Sequence, residues 1–346
     1  MSKLRENIKR VAKRQADKVI NKLENSIISN KACACKITYG PVPSRRLGIS
    51  LGVNNIKPNT CCYNCVYCQA GDTECCSTCV DYCLSPHELY LYLKKKVEEL
   101  EKNKVHFDYI SFVPNGEPTL DVNLGKSIML VREFGYKIAV FTNSSLLWND
   151  NVKENLYFAD YVSVKVDTTD EEKWLKINRP HRRLDIEKVL NGVYQFSQSY
   201  NGVLTTETML VKDMNDDLED VEKTCNFLKT LKRKLSYFAI PIRPPIENYG
   251  VAPSKEKLKE ISEFIKSNLS DVDMLCCPES NDFHASFDIE NEMLGIVSVH
   301  PMREAAVKSF ISSIGGSMDQ ISDMLNRGLL KEYIYNGERF FMSNNH

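Results

Sequence analysis

The sequence predicts an α/β protein in which a partial (β/α)6, TIM-like barrel carries a C-terminal winged-helix-like domain. Three observations predict it. Six short, apolar, β-rich runs alternate with amphipathic segments, residues rich in chemistry cluster where those runs end, and residues 286–346 change to three helices followed by a hairpin.

The 346 residues are 42% hydrophobic and 26% charged, ample for one large core and a small appendage. A net charge of −1 gives no global electrostatic case for nucleic acid or a membrane surface, so such a partner must be read from local patches. No apolar run approaches the ~20 residues that span a bilayer. The N-terminus lacks the apolar stretch of a secretory signal. Thirteen cysteines without a signal read as metal ligands and reduced thiols rather than a disulfide framework. The expectation is a soluble, cytoplasmic, oxygen-sensitive protein with no membrane partner.

Residues 1–36 form a basic N-terminal extension. Within 3–28, Leu4, Ile8, Val11, Val19, Leu23 and Ile27 make an apolar stripe among eight Lys/Arg and three Asp/Glu. A helix docked on the body explains it better than an RNA-touching arm, since Glu6, Asp17 and Glu24 interrupt the charge. The barrel occupies 37–285, with strands expected at 48–53, 109–113, 137–142, 161–166, 204–211 and 235–240. Ser85-Pro86-His87-Glu88 is a capping box with proline at the first helical position, opening a helix to about residue 102. Further helices are expected near 121–134, 149–158, 185–199, 216–231 and 254–268. In the tail, helices at 291–299, 303–314 and 318–326 precede strands at 329–334 and 339–342, joined by Asn336-Gly337, a type I′ hairpin pair. Between the third helix and the chain end the only Lys/Arg are Arg327, Lys331 and Arg339, few for phosphate contacts, so a protein-contact or lid role fits at least as well.

Cys61, Cys65 and Cys68 form a C-x3-C-x2-C run. A structural zinc site wants four ligands, whereas a cubane held by three thiolates keeps one iron open to coordinate something else. Other motifs follow at expected strand ends. In Asn115-Gly116-Glu117-Pro118, Gly116 allows close backbone approach and Glu117 offers an acceptor to an ammonium. Thr142-Asn143-Ser144-Ser145 carries short hydrogen-bonding side chains suited to a ribose or carboxylate, or to a plain helix cap. Asp167 and Glu207 are carboxylates in apolar runs, each needing a partner or a task. Lys165 is one candidate partner, and alternation sets Ser163, Lys165 and Asp167 on one side of their strand. Arg243, in Pro241-Ile242-Arg243-Pro244-Pro245, is an anion-clamp candidate. His181, His284 and His300 lack ligand spacing and read as structural groups.

With Tyr67 before the last cysteine, the run resembles the motif of radical S-adenosylmethionine (SAM) enzymes. The resemblance implies a [4Fe-4S] cluster on Cys61, Cys65 and Cys68 and SAM on its open iron. It also implies cofactor contacts from Tyr67, Gly116 and Glu117 and a flavodoxin- or ferredoxin-type electron donor, while Asn143, Ser144, Asp167, Glu207 and Arg243 are further cofactor-contact candidates on their own chemistry. Gly40 to Gly52, the Asn-Gly-Glu-Pro element, Ile177-Asn178-Arg179-Pro180-His181, Met209 to Asp216 and Ile242 to Pro245 narrow the resemblance over residues 37–285. They resemble the iron–sulfur oxidoreductases grouped with wyosine-forming tRNA enzymes, which implies RNA as first substrate, with a peptide or metabolite next. On this reading Arg45, Arg46 and the Arg179-Pro180-His181-Arg182-Arg183 cluster would make the barrel mouth positive.

The chain departs from that group in having only Cys33 and Cys35 near its N-terminus, and in an insert holding Cys75, Cys76, Cys79 and Cys83. Cys76, Cys79 and Cys83 with one of Cys33, Cys35 or Cys75 would complete a four-thiolate site for an auxiliary iron–sulfur cluster or zinc. Cys276 and Cys277 read as two small buried thiols. The competing class is a metal-binding regulator, whose cysteines hold zinc or a sensing cluster while the tail contacts nucleic acid or protein.

Overall fold

The computed structural model describes residues 37–78, 84–245, 247–283 and 288–344. The basic extension and Cys33, Cys35, Cys79, Cys83 and His284 lie outside them, as does the four-thiolate site they would complete.

The expected strands form the centre of an eight-stranded sheet: β1 (Thr38–Ser44), β2 (Gly48–Val53), β5 (Tyr109–Phe112), β6 (Lys137–Thr142), β7 (Tyr161–Lys165), β8 (Val203–Met209), β9 (Leu235–Ala239) and β10 (Val272–Leu275), paired in that order. Neighbours from β2 to β10 are parallel, while β1 returns antiparallel on β2. Two edge strands were not expected. β1 carries Gly40, Pro41 and Pro43, which discount a strand in sequence but are tolerated at a sheet edge. β10 is four residues long and includes Asp273. The barrel is open between these edges, and Arg45 bridges the gap by donating to the Leu275 carbonyl at 2.7 Å.

Helices α1 (Pro86–Lys102), α2 (Leu124–Val131), α3 (Asp150–Leu156), α5 (Ile186–Ser199), α6 (Leu218–Thr230) and α7 (Lys255–Asn268) occupy the expected crossovers. An additional two-turn helix, α4 (Glu171–Ile177), is capped by the Asp170 side chain on the Lys173 amide. Alternation along each strand splits the core. Leu51, Val53, Ile110, Phe112, Ile138, Val140, Val162 and Val164 pack with Leu93, Val97 and Leu100 of α1 and with the other crossover helices. Ala139 and Tyr161 pack with Leu47 in a separate small cluster that Tyr109 and Phe141 join.

The tail runs α8 (Ile289–Val297), β11 (Met302–Arg303), α9 (Glu304–Ser313), α10 (Met318–Asn326), β12 (Leu330–Tyr335) and β13 (Glu338–Ser343), with sheet order β11-β13-β12. Asn336 and Gly337 turn the hairpin at φ of 50° and 78°, as a type I′ turn requires. The tail's core takes in the barrel's edge: Met293, Ile296, Val307, Phe310 and Phe341 pack with Tyr39 and Val42 of β1. A buried Lys96–Glu292 ion pair adds a second tie to the barrel. Cys276 is half-buried and Cys277 exposed, which corrects the expectation of two buried thiols; they follow the open edge strand β10, where no further strand among the described residues covers them. No helix among the described residues is long and apolar enough to cross a membrane.

Candidate cluster and cofactor site

After β2 the chain forms a loop held from two sides. One two-residue strand, β3 (Thr60–Cys61), pairs in parallel with another, β4 (Cys75–Cys76), so residues 75 and 76 lie alongside Thr60 and Cys61. From the other side, the stretch 177–181 supplies backbone partners: the amides of Asn64 and Val66 donate to the carbonyls of Asn178 and Ile177, and His181 donates to Cys62. Trp174 of α4 adds a hydrogen bond to the Tyr63 hydroxyl at 3.2 Å and an edge-to-face ring contact. The unexpected helix therefore positions the motif that backs the cysteine loop.

The loop presents Cys61, Cys65 and Cys68 to one cavity, where they meet Tyr67, Gly116, Glu117, Asn143, Lys165, Glu207 and Arg243. Two side-chain amides address the sulfurs. Asn143 Nδ2 donates to Cys61 Sγ at 3.3 Å, and Asn178 Nδ2 to Cys65 Sγ at 3.3 Å. Asn178 was missed in sequence, where it stood inside a motif without a role of its own. Burial pushes the thiols upward, Cys65 to about 12, so thiolates here require a bound cation. Among the described residues no three His, Cys, Asp or Glu side chains converge on a single ion.

Gly116 stands at φ 141°, and a Cβ there would come 2.1 Å from the Thr60 carbonyl oxygen. The close approach is thus to the cysteine loop's own backbone. Glu117 is buried, and its Oε1 accepts from Thr119 N, Thr119 Oγ1 and Thr142 Oγ1, while Oε2 accepts from the Asn143 amide at 2.7 Å. Burial raises its pKa against these donors. One acceptor position remains on Oε2, and the carboxylate otherwise anchors the loop that carries Asn143.

The other candidates divide. Tyr67 lines the cavity and donates to Asp167 Oδ2, with Lys165 Nζ 4.4 Å from its ring centroid. Asp167 lies behind Tyr67, accepting also from Asn178 Nδ2 and the Met209 amide, so it braces the wall rather than facing the cavity. Ser144 is buried at φ 70° and likewise off the cavity. Glu207 faces the cavity with two cationic partners, Arg46 and Lys165, the latter at 3.3 Å. Arg46 also stacks on Phe141, 4.7 Å from the ring centroid. Arg243 donates to Gln69 Oε1 at 2.8 Å and meets Glu279 and His300 at 2.6 Å each, an engaged side chain and not a free clamp. Arg179 is held by Glu247 at 2.8 Å, whereas Arg182 and Arg183 are exposed.

A cysteine loop under a sheet's C-terminal ends, with amides on its sulfurs and a glycine–glutamate loop beside it, defines a radical SAM site. The chain matches the radical SAM superfamily over residues 55–228 and belongs to it. It is 41% identical to a UPF0026 protein of Methanocaldococcus jannaschii over 312 residues, 89% of this chain and 96% of that one. A UPF0026 protein of Synechocystis sp. is 34% identical over 185 residues, 53% of this chain and 67% of that one. A solved radical SAM methyltransferase from Sphaerobacter thermophilus overlays 66% of each chain at a TM-score of 0.50 and 15% identity, a likeness of fold. The superfamily's cofactors are a [4Fe-4S] cluster and SAM.

Proposed function

We propose that this protein cleaves SAM reductively at a cluster held by Cys61, Cys65 and Cys68 and modifies a substrate admitted through the barrel mouth. The observation that carries this reading is the pair of amides from Asn143 and Asn178 aimed at Cys61 and Cys65 inside the shared cavity. When bound, the cluster and SAM supply one-electron cleavage of the sulfonium to methionine and a 5′-deoxyadenosyl radical, which takes a substrate hydrogen. The chain's own residues hold the thiolates, orient the loops and enclose the space. Its electron donor is of flavodoxin or ferredoxin type. Tyr67, Gly116, Glu117 and Asn143 are the cofactor contacts, and Lys165 and Glu207 face the remaining space.

RNA is the first substrate class, supported by the motif resemblance to wyosine-forming enzymes and by exposed Arg182 and Arg183. Arg45, Arg46 and Arg179 add little, because each already has an internal partner; a peptide or metabolite follows closely. Cys75 and Cys76, paired in register with Thr60 and Cys61, would place an auxiliary cluster or zinc beside the first site. A nucleic-acid-binding regulator gains no support from the tail, which on our reading is winged-helix-like. The exposed positions of α10 include Asp319, Gln320, Asp323 and Asn326, and Arg327 is paired with Glu290 and Asp323.

The test is anaerobic reconstitution with iron and sulfide, then SAM and a strong reductant, with 5′-deoxyadenosine read by chromatography and mass spectrometry. Product is expected from the wild type and none from the Cys61/Cys65/Cys68→Ala variant. Retention of the cubane or of SAM cleavage in that variant overturns the assignment.

A further inference from the structure

Resting on the radical SAM reading above, we propose that residues 298–300, the turn from α8 toward the tail's sheet, are a positioning element of the cofactor site. Through this turn the C-terminal module sets how the cluster loop and the glycine–glutamate loop present themselves to SAM.

Three consecutive residues carry the contacts. The Ser298 carbonyl accepts from Asn115 Nδ2 at 3.2 Å, at the head of the Asn115-Gly116-Glu117 loop. The Val299 carbonyl accepts from Gln69 Nε2 at 3.1 Å, one residue beyond the last cluster cysteine. His300 faces Arg243, whose other guanidinium nitrogen donates to Gln69 Oε1. Gln69 is thereby gripped at both ends of its amide by groups 230 and 174 residues away. Asn115 in turn receives the Asn59 amide on its own carbonyl at 2.9 Å, so the two loops are joined to each other as well as to the turn.

The turn is itself held rigidly. His300 packs edge-to-face on Phe283, with centroids 5.4 Å apart, and lies 3.6 Å from Glu279. Arg303 fixes that segment by donating to the Glu279 carbonyl at 2.8 Å and to Asn281 Oδ1 at 3.0 Å. Burial, with Arg243 alongside, depresses His300 to about 3, so the ring is neutral and Nε2 accepts from the guanidinium. Tyr335 of the hairpin donates to the Pro241 carbonyl at 3.1 Å, and Tyr333 to Asn248 at 3.2 Å, which press the module onto the same rim of the barrel. A tail that served only as a detachable binding domain would not need these bonds to the cofactor loops.

The experiment uses the full chain, reconstituted anaerobically, with three readings on each sample: iron and sulfide content, the spectrum of the reduced cluster with and without SAM, and SAM affinity from that spectral change. His300→Leu removes the acceptor for Arg243, and His300→Gln keeps one. The expected result is a cluster loaded as in the wild type, with SAM affinity weakened about 10-fold in His300→Leu and largely restored in His300→Gln, the scale of one lost charge-assisted hydrogen bond. Wild-type SAM affinity and an unchanged SAM-bound spectrum in His300→Leu overturn the proposal. Should His300→Leu fold poorly, Gln69→Glu keeps the acceptor for Arg243 and loses the donor to Val299. The same shift is then expected, and its absence overturns the proposal too. A wild-type chain that loads a cluster but ignores SAM would overturn the radical SAM reading itself, and this inference with it.

Discussion

Asn178 Nδ2 donates to Asp167 Oδ2 (2.7 Å) and to Cys65 Sγ (3.3 Å), coupling a buried carboxylate to the sulfur of a proposed cluster ligand. An N–H on a thiolate sulfur stabilises the reduced cluster, because the added electron increases charge on sulfur. Asn178→Ala is therefore expected to lower the midpoint potential by about 40 mV, the equivalent of one ~1 kcal/mol hydrogen bond, in a spectroscopic redox titration. His300 gives a pH signature. Its burial and the Arg243 guanidinium, against the opposing pull of Glu279, hold it neutral down to about 3, while the unfolded chain takes up a proton near 6.5. Its folded pKa is depressed, so its contribution is full above about 6.5 and is lost as pH falls toward 3. Glu279, held down to about 2 because the Arg243 guanidinium outweighs its burial, adds a second loss below its ordinary value of 4.5. A Tm series from pH 7 to 5 is expected to fall in the wild type and to be flatter in His300→Gln.

Elements owe their sites to contacts that cross them. Tyr39 of β1 reaches over Gly52 of β2 to donate to the Val113 carbonyl at 2.8 Å, and a Cβ on Gly52 would lie 2.1 Å from its ring. Gly52→Ala is expected to cost about 1–3 kcal/mol in denaturant unfolding by displacing that ring. Gly116→Ala meets the Thr60 backbone first, with Ile56 Cδ1 at 2.8 Å, and stands at positive φ. It is expected to impair iron uptake on reconstitution as well as stability, since Glu117 N donates to Thr60 O in the same contact. The helix starts show the opposite behaviour: Ser85 and Glu88 complete a capping box within four residues, which is why that boundary was visible in sequence.

At the scale of the molecule, the barrel and tail share one hydrophobic cluster, in which Tyr39 and Val42 are 4% and 8% exposed. Ending the chain at residue 287 would bare those side chains along an edge strand. The expected outcome is a protein that binds a hydrophobic dye and aggregates, where an independent tail would leave a soluble barrel. Local pattern determined what the sequence alone could show: the cysteine spacing, the alternation of six strands with helices, the capping box and the Asn336-Gly337 hairpin are all written within a few residues, where spacing maps directly onto geometry. The edge strands β1 and β10 escaped because prolines, shortness and charge obscure strands that need pairing on one side only. Only the tertiary structure decided which charges are spent. Asp167 braces Tyr67, Glu207 balances Arg46 and Lys165, and Arg243 ties the cluster loop to the tail. A side chain's role depends on partners that lie far along the chain, and the fold alone brings them together.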